Sequence, residues 1–229
     1  MVRKICLASI VLMFSSPASA GDDVELTFKN HLQKNRVEQH VYVEREAGSG
    51  QVYRVTPVDQ HRYLNAPVYG TDEVVANAPF NHGAVGPYQR GKKLGFTLGD
   101  WLAATGTARY RCDGDDGKVE ATFDKLVPDG VYSLWYGMEP RPPLDPFKVL
   151  PMPLGARDGT QSSFGANAKG HAKFALTFSP CLQLSGRQVD TFLALVWHSD
   201  GKTYGASPGP FSTAAHVQIF TEPFPIEGR

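Results

Sequence analysis

The chain has 229 residues, of which 41% are hydrophobic, with 23 basic and 23 acidic side chains. This length and apolar content suit one domain with a substantial core and argue against disorder. The balanced charge gives no electrostatic reason to expect a nucleic-acid partner or an anionic membrane surface.

The first 20 residues predict a cleaved signal peptide. Arg3 and Lys4 give a positive start, a short apolar stretch follows at 5–14, and Ala18-Ser19-Ala20 provides the small residues of a cleavage site. The apolar stretch is too short for a bilayer, which takes about twenty residues. We therefore expect an exported protein, periplasmic or secreted, with no membrane insertion after signal cleavage.

The cysteines support one disulfide. Cys6 leaves with the predicted signal peptide, so that Cys112 and Cys181 remain. Two cysteines in an oxidising compartment usually pair. The rival interpretation, a pair of thiolate metal ligands, lacks a nearby Cys-x-x-Cys or a cluster of histidines. The sequence therefore predicts a bond between Cys112 and Cys181.

Most of the chain after the signal has the period of β-strands. Apolar and polar residues alternate, as in half-buried strands, at 24–29, 41–43, 105–112, 119–123, 172–178 and 214–220. Continuously apolar runs at 131–136 and 192–197 suit strands covered on both faces. Gly, Pro and Asp turns separate these stretches. The pattern predicts an all-β antiparallel sandwich or jelly roll, with 214–220 closing the sheet.

Less regular segments lie between the predicted strands. Residues 97–104 predict one short helix with Thr97 as its cap. Six prolines between 140 and 155 exclude a central strand there, so we expect a crossover between sheets. We expect residues 21–229 to form a single domain, on which 21–78 could pack as an N-terminal extension.

Two motifs suggest a catalytic serine and a calcium site, but neither has the residues that such a site needs. Residues 205–209 match the Gly-x-Ser-x-Gly nucleophile elbow around Ser207, but Pro208 has no N–H to donate to an oxyanion. The acidic group at 113–116 suggests calcium, yet Lys118 stands where an EF-hand loop needs glycine. A surface turn and a polar hairpin are the better interpretations, and we do not expect an enzyme.

Histidines give the strongest metal hypothesis. His198 ends the most apolar predicted strand. His216 lies in the last predicted strand, at one of the alternate positions that hold polar residues. If the two strands are neighbours, both rings could face the same accessible side, with Asp200 or His82 close by. Imidazoles on adjacent strands suit copper or zinc. The alternative is a pair of histidines that only hydrogen-bond to backbone carbonyls.

Aromatic residues suggest a binding surface instead. Tyr63, Tyr69 and Tyr88 lie in loop-like sequence, where binding residues concentrate. Trp135 and Trp197 lie inside apolar runs and suit the core.

Four stretches together resemble a family of exported microbial β-sandwich-like proteins with no characterised activity. They are 95–101, 126–132, 153–159 and 197–201, and the resemblance covers roughly residues 79–221. It implies an exported β-sandwich domain and no particular ligand, activity or site residue.

These observations predict an exported binding or interaction module for an unknown extracellular or envelope ligand, with loops 61–90 and 140–160 framing the contact surface. The alternative is a copper or zinc metalloprotein built on His198 and His216, with redox chemistry as one role. A hydrolase ranks last, because the sequence shows no nucleophile–base pair.

Overall fold

The computed structural model describes residues 23–76, 85–144, 148–182 and 184–225. The predicted signal peptide and His82 lie outside these residues. The elements, in chain order, are β1 (Val24–Lys29), a 3-10 helix (Leu32–Lys34), β2 (Gln51–Val52), α1 (Gln60–Tyr63), β3 (Pro67–Thr71), β4 (Tyr88–Thr97), α2 (Leu98–Leu102), β5 (Thr105–Asp113), β6 (Asp116–Asp124), β7 (Val131–Pro140), β8 (Leu150–Pro153), β9 (Ser163–Gly165), β10 (Ala172–Phe178), β11 (Val189–His198) and β12 (Ala215–Thr221).

The strands form one large and one small antiparallel sheet. The large sheet has the order β10-β6-β5-β1-β12-β11-β7-β8, with β9 also paired to β7. The small sheet has the order β2-β4-β3. Phe164 of β9 packs on Phe174 of β10 with ring centroids 5.3 Å apart, so the two ends of the large sheet approach each other. The predicted all-β, sandwich-like fold is confirmed.

The position of β12 differs from the prediction. We expected this strand to close the sheet, but it lies inside the sheet, between β1 and β11. All seven of its residues are buried. The alternation suggested a half-exposed strand because His216 and Gln218 are polar, whereas the fold buries these side chains as well.

The short helix α2 is confirmed where its cap was predicted. The hydroxyl of Thr97 accepts a hydrogen bond from the backbone N–H of Asp100 (3.2 Å), and the Asp100 carboxylate accepts one from the N–H of Thr97 (2.9 Å). This reciprocal pair satisfies backbone donors that the first helical turn leaves unpaired. The helix buries Leu98 and Trp101 in the core.

The disulfide is also confirmed. Cys112, near the end of β5, is bonded to Cys181, which follows β10, and their Cα atoms are 5.8 Å apart. The bond ties the hairpin β5–β6 to the chain that leaves the edge strand β10.

Two other segments take specific places in the large sheet. The proline-rich stretch contributes β8, which pairs with β7 at the end of the strand order, where missing N–H donors are tolerated. Residues 24–29 contribute β1, between β5 and β12. Among the described residues, no helix is long and apolar enough to cross a membrane.

Candidate ligand-binding site

A pocket of about 350 Å³ lies on one face of strands β7, β11 and β12. The register pairs Trp135 with Ala194, and Ala194 with Phe220, so these three side chains project from the same face. Val196 and Val217 are paired in the same way. Together these residues give the pocket an apolar floor, part of which is aromatic.

A glycine shapes this floor. Gly137 lies opposite Phe192 in the register, and a Cβ atom at Gly137 would come within 2.6 Å of the Phe192 ring. The absence of a side chain therefore allows the ring of Phe192 to lie over β7 and to line the pocket.

A buried polar chain lies beside the floor, on the same face of the sheet. The indole N–H of Trp135 donates to the hydroxyl of Ser133 (2.7 Å), which is itself 2.7 Å from Nε2 of His198. Burial lowers the pKa of His198, which favours the neutral ring. These contacts fix the orientation of Trp135 in the floor.

A group of charged side chains forms one end of the pocket. Arg36 donates to Oε1 of Glu38 (3.1 Å) and lies 3.6 Å from Oε2 of Glu139. Nδ1 of His31 lies 3.9 Å from Oε2 of Glu38. His31, Arg36 and Glu38 all line the pocket, so its apolar floor meets a charged end.

The place of His31 follows from an interruption in the sheet. Strand β1 pairs with β12 only at Phe28–Thr221 and Lys29–Phe220, so none of the described strands lies beside the rest of this edge of β12. Two imidazoles occupy this edge. Nε2 of His31 donates to the carbonyl of Val217 (2.9 Å), and the N–H of Val217 donates to Nδ1 of His40 (3.2 Å).

The two carboxylates at the charged end have opposite pKa shifts. Burial by itself would raise the pKa of Glu38, but His31 and Arg36 lower it below its ordinary value, so Glu38 is a buried anion. Burial raises the pKa of Glu139, and the attraction of Arg36 only partly opposes this. Arg36 therefore holds a firmly ionised carboxylate beside one that is protonated more easily.

The predicted pair of histidines does not share an accessible face. Strands β11 and β12 are neighbours as expected, but the register pairs His198 with Ala215, and His216 with Trp197. The two imidazoles therefore project from opposite faces of the sheet, and both are buried. The prediction of one accessible side is wrong because it depended on a register that the sequence did not define.

His216 uses both ring nitrogens within the protein. Nδ1 donates to the carbonyl of His40 (2.5 Å), and Nε2 lies 3.0 Å from the hydroxyl of Ser199. Asp200 is exposed and accepts hydrogen bonds from Tyr204 (2.7 Å) and from the backbone of Lys202 (3.1 Å). In the described ranges, no three His, Cys, Asp or Glu side chains are grouped as metal ligands. Copper or zinc binding stays a prediction.

The three predicted tyrosines lie away from the pocket. Tyr63, in α1, is half-buried against the main core. Tyr69 and Tyr88 are half-buried on the small sheet, where they pack on the cluster of Tyr42, Val52 and Val75. They do not form one exposed platform, because each contributes part of its ring to packing.

The loops predicted to frame a binding surface do reach the pocket. Loop 61–90 contributes Ala76, and loop 140–160 contributes Lys148, Val149 and Pro151. Ser207 lies in a turn, where its hydroxyl accepts from the N–H of Gly209 (3.1 Å) and no helix follows. Sequence reasoning missed the pair Ser133–His198, because it depends on the register of β7 and β11.

No family model, no curated protein and no solved structure matches the chain. The resemblance to a family of exported microbial proteins therefore stays a prediction.

Proposed function

We propose that the protein is an exported binding module that holds a small, largely apolar organic molecule in the pocket on β7, β11 and β12. The carrying observation is the pocket itself: about 350 Å³, with an aromatic and aliphatic floor and a few charged groups at one end. Small-molecule sites typically have volumes of about 300–1,000 Å³ and combine an apolar lining with a few placed polar groups.

The buried polar chain beside the floor favours binding over catalysis. Ser133 and His198 form the pair that a hydrolase would need, but each is only 2% exposed. The hydroxyl of Ser133 also accepts the indole N–H of Trp135, and Nδ1 of His198 has no hydrogen-bond partner in the described part of the chain. A catalytic histidine needs a group that orients it and a substrate within reach.

Export is supported by the disulfide, because such bonds persist in oxidising compartments. The periplasm and the extracellular medium both satisfy this condition.

Binding can be tested with N-phenyl-1-naphthylamine, an uncharged dye whose fluorescence rises in apolar surroundings. We expect saturable binding at one site per chain. Ala194→Phe places a ring in the pocket and should abolish this binding. Ala175→Phe, on the exposed face of β10, is the matched control and should leave it unchanged. Circular dichroism would verify that both variants fold.

Two results would contradict the proposal. One is the absence of saturable binding by the wild-type protein. The other is binding that Ala194→Phe leaves intact, since the dye would then occupy another surface.

A further inference from the structure

We infer that the ligand of this pocket carries a carboxylate group, which Lys148 binds at the charged end. The inference rests on the function proposed above and adds the chemical class of the ligand: a monocarboxylic acid with an apolar body. It depends on which charged side chains line the pocket, and on which of them already have a partner of opposite charge.

Lys148 lies at the same end of the pocket as Arg36. It stands two residues before Leu150, the residue of β8 that pairs with Met138 of β7. The next residue of β7 is Glu139, whose Oε2 lies 3.6 Å from Nη2 of Arg36. The chain thus places both cations near the Glu139 end of β7, and both line the pocket.

The charged side chains that line the pocket have an excess of positive charge. Arg36 and Lys148 are cations, whereas Glu38 is the one carboxylate among the described lining residues. Burial favours protonation of Glu38, but His31 and Arg36 lower its pKa below the ordinary value, so Glu38 is an anion. His31 also lines the pocket, and a proton on this ring would add positive charge. The excess is therefore positive whether His31 is protonated or neutral.

Lys148 is the cation that can accept another partner. Arg36 is shared by two carboxylates, since it donates to Glu38 (3.1 Å) and lies 3.6 Å from Glu139. In the described part of the chain, neither of these carboxylates forms an ion pair with Lys148. One unbalanced cation suits a group with a single negative charge. A carboxylate supplies this charge, whereas a phosphate monoester carries about two.

The positions of the apolar and charged groups orient such a ligand. Ala194 and Phe192 are the partly exposed side chains of the floor, whereas Trp135 and Val196 beside them are buried. Lys148 is exposed. The apolar body therefore lies over Ala194 and Phe192, and the carboxylate points towards Lys148, where it keeps contact with water. This orientation avoids most of the free-energy cost of burying a charge.

An exposed partner sets the size of the effect. Ion pairs between exposed groups change affinity by up to about fivefold. The preference for a carboxylate should therefore be small but measurable. It should also weaken as salt is added, because dissolved ions screen charges at exposed positions.

The test compares three probes with the same apolar body: 4-phenylbutanoate, 4-phenylbutan-1-ol and 4-phenylbutylamine, each measured at neutral pH by displacement of N-phenyl-1-naphthylamine. We expect the carboxylate to bind about threefold to fivefold more tightly than the alcohol. The amine should bind most weakly, because it carries the same charge as Lys148. In about 0.5 M sodium chloride the advantage of the carboxylate over the alcohol should shrink.

Two variants then locate the effect. Lys148→Gln removes the charge of an exposed side chain, so the carboxylate should lose its advantage over the alcohol, which serves as the internal reference. Lys148→Glu should place the amine above the carboxylate. Lys173→Gln is the matched control, because Lys173 is exposed on β10 and does not line the pocket. It should preserve the order of the wild type.

The outcomes separate the two proposals. If the alcohol or the amine binds as tightly as the carboxylate, the inference about the carboxylate is wrong and the binding function stands. Retention of the wild-type preference in Lys148→Gln would also overturn it. If neither the dye nor any of the three probes binds, the proposed function fails, and this inference fails with it.

Discussion

Acidification should destabilise the protein through His216. This ring is completely buried, and its pKa is lowered from 6.5 to about 4, chiefly because burial disfavours the charged form. Between these two pH values the unfolded chain binds a proton that the folded protein does not. The contribution to stability is therefore fully present above pH 6.5 and is lost as the pH falls towards 4.

The magnitude follows from the gap between the two pKa values. The full effect is about 3 kcal/mol, of which about 2.5 kcal/mol is lost by pH 4.5. A domain with a typical stability of about 5–15 kcal/mol would show this clearly in urea unfolding.

The matched perturbation is His216→Asn. The amide can still donate to the carbonyl of His40, which now accepts from Nδ1, but it does not titrate. We expect lower stability at pH 7.5 and a loss between pH 7.5 and 4.5 that is about 2.5 kcal/mol smaller than in the wild type. His61→Asn, on the exposed face of α1, is the control.

The free energy of unfolding would be measured by urea titration at several pH values. His198 also has a lowered pKa, so the variant should keep part of the pH dependence. The reasoning is refuted if the free energy of unfolding falls by the same amount in His216→Asn and in the wild type between pH 7.5 and 4.5. In that case His216 would not be a neutral buried ring that takes up a proton on unfolding.

Three further outcomes can be checked. The unfolded, unreduced protein should contain no reactive thiol from Cys112 or Cys181, and replacing both by serine should lower stability by about 4 kcal/mol, measured by urea unfolding. A fluorophosphonate probe should not label Ser207; labelling that Ser207→Ala abolishes would contradict this. Ser133→Ala should destabilise by about 1–3 kcal/mol, since it removes the partner of His198, whereas unchanged stability would show that this buried chain contributes little.

Local features of the sequence predicted much of the fold. The alternation at 105–112 and 119–123 predicted the hairpin β5–β6, since these residues alternate between core and solvent. Thr97 predicted the start of α2, because its capping contacts lie within three residues. The disulfide followed from the number of cysteines and the predicted compartment.

The site could not be predicted in the same way. Its floor depends on the register that places Trp135, Ala194 and Phe220 side by side, and a shift of one residue would move them to the other face. The error about His216 has the same origin. The charged end joins Arg36 to Glu139 across more than a hundred residues of sequence, and neither residue belongs to a recognisable motif.

Strand β1 pairs with only one end of β12. Because of this gap, substitutions at the charged end should differ in how much they disturb the fold. His31 replaces part of a missing neighbouring strand, since it binds the backbone of Val217, so any substitution there disturbs the sheet. The carboxylate of Glu38 instead contacts the side chains of Arg36 and His31. Under the proposed binding function, a change at Glu38 should therefore alter ligand preference with less disturbance of the sheet than a change at His31.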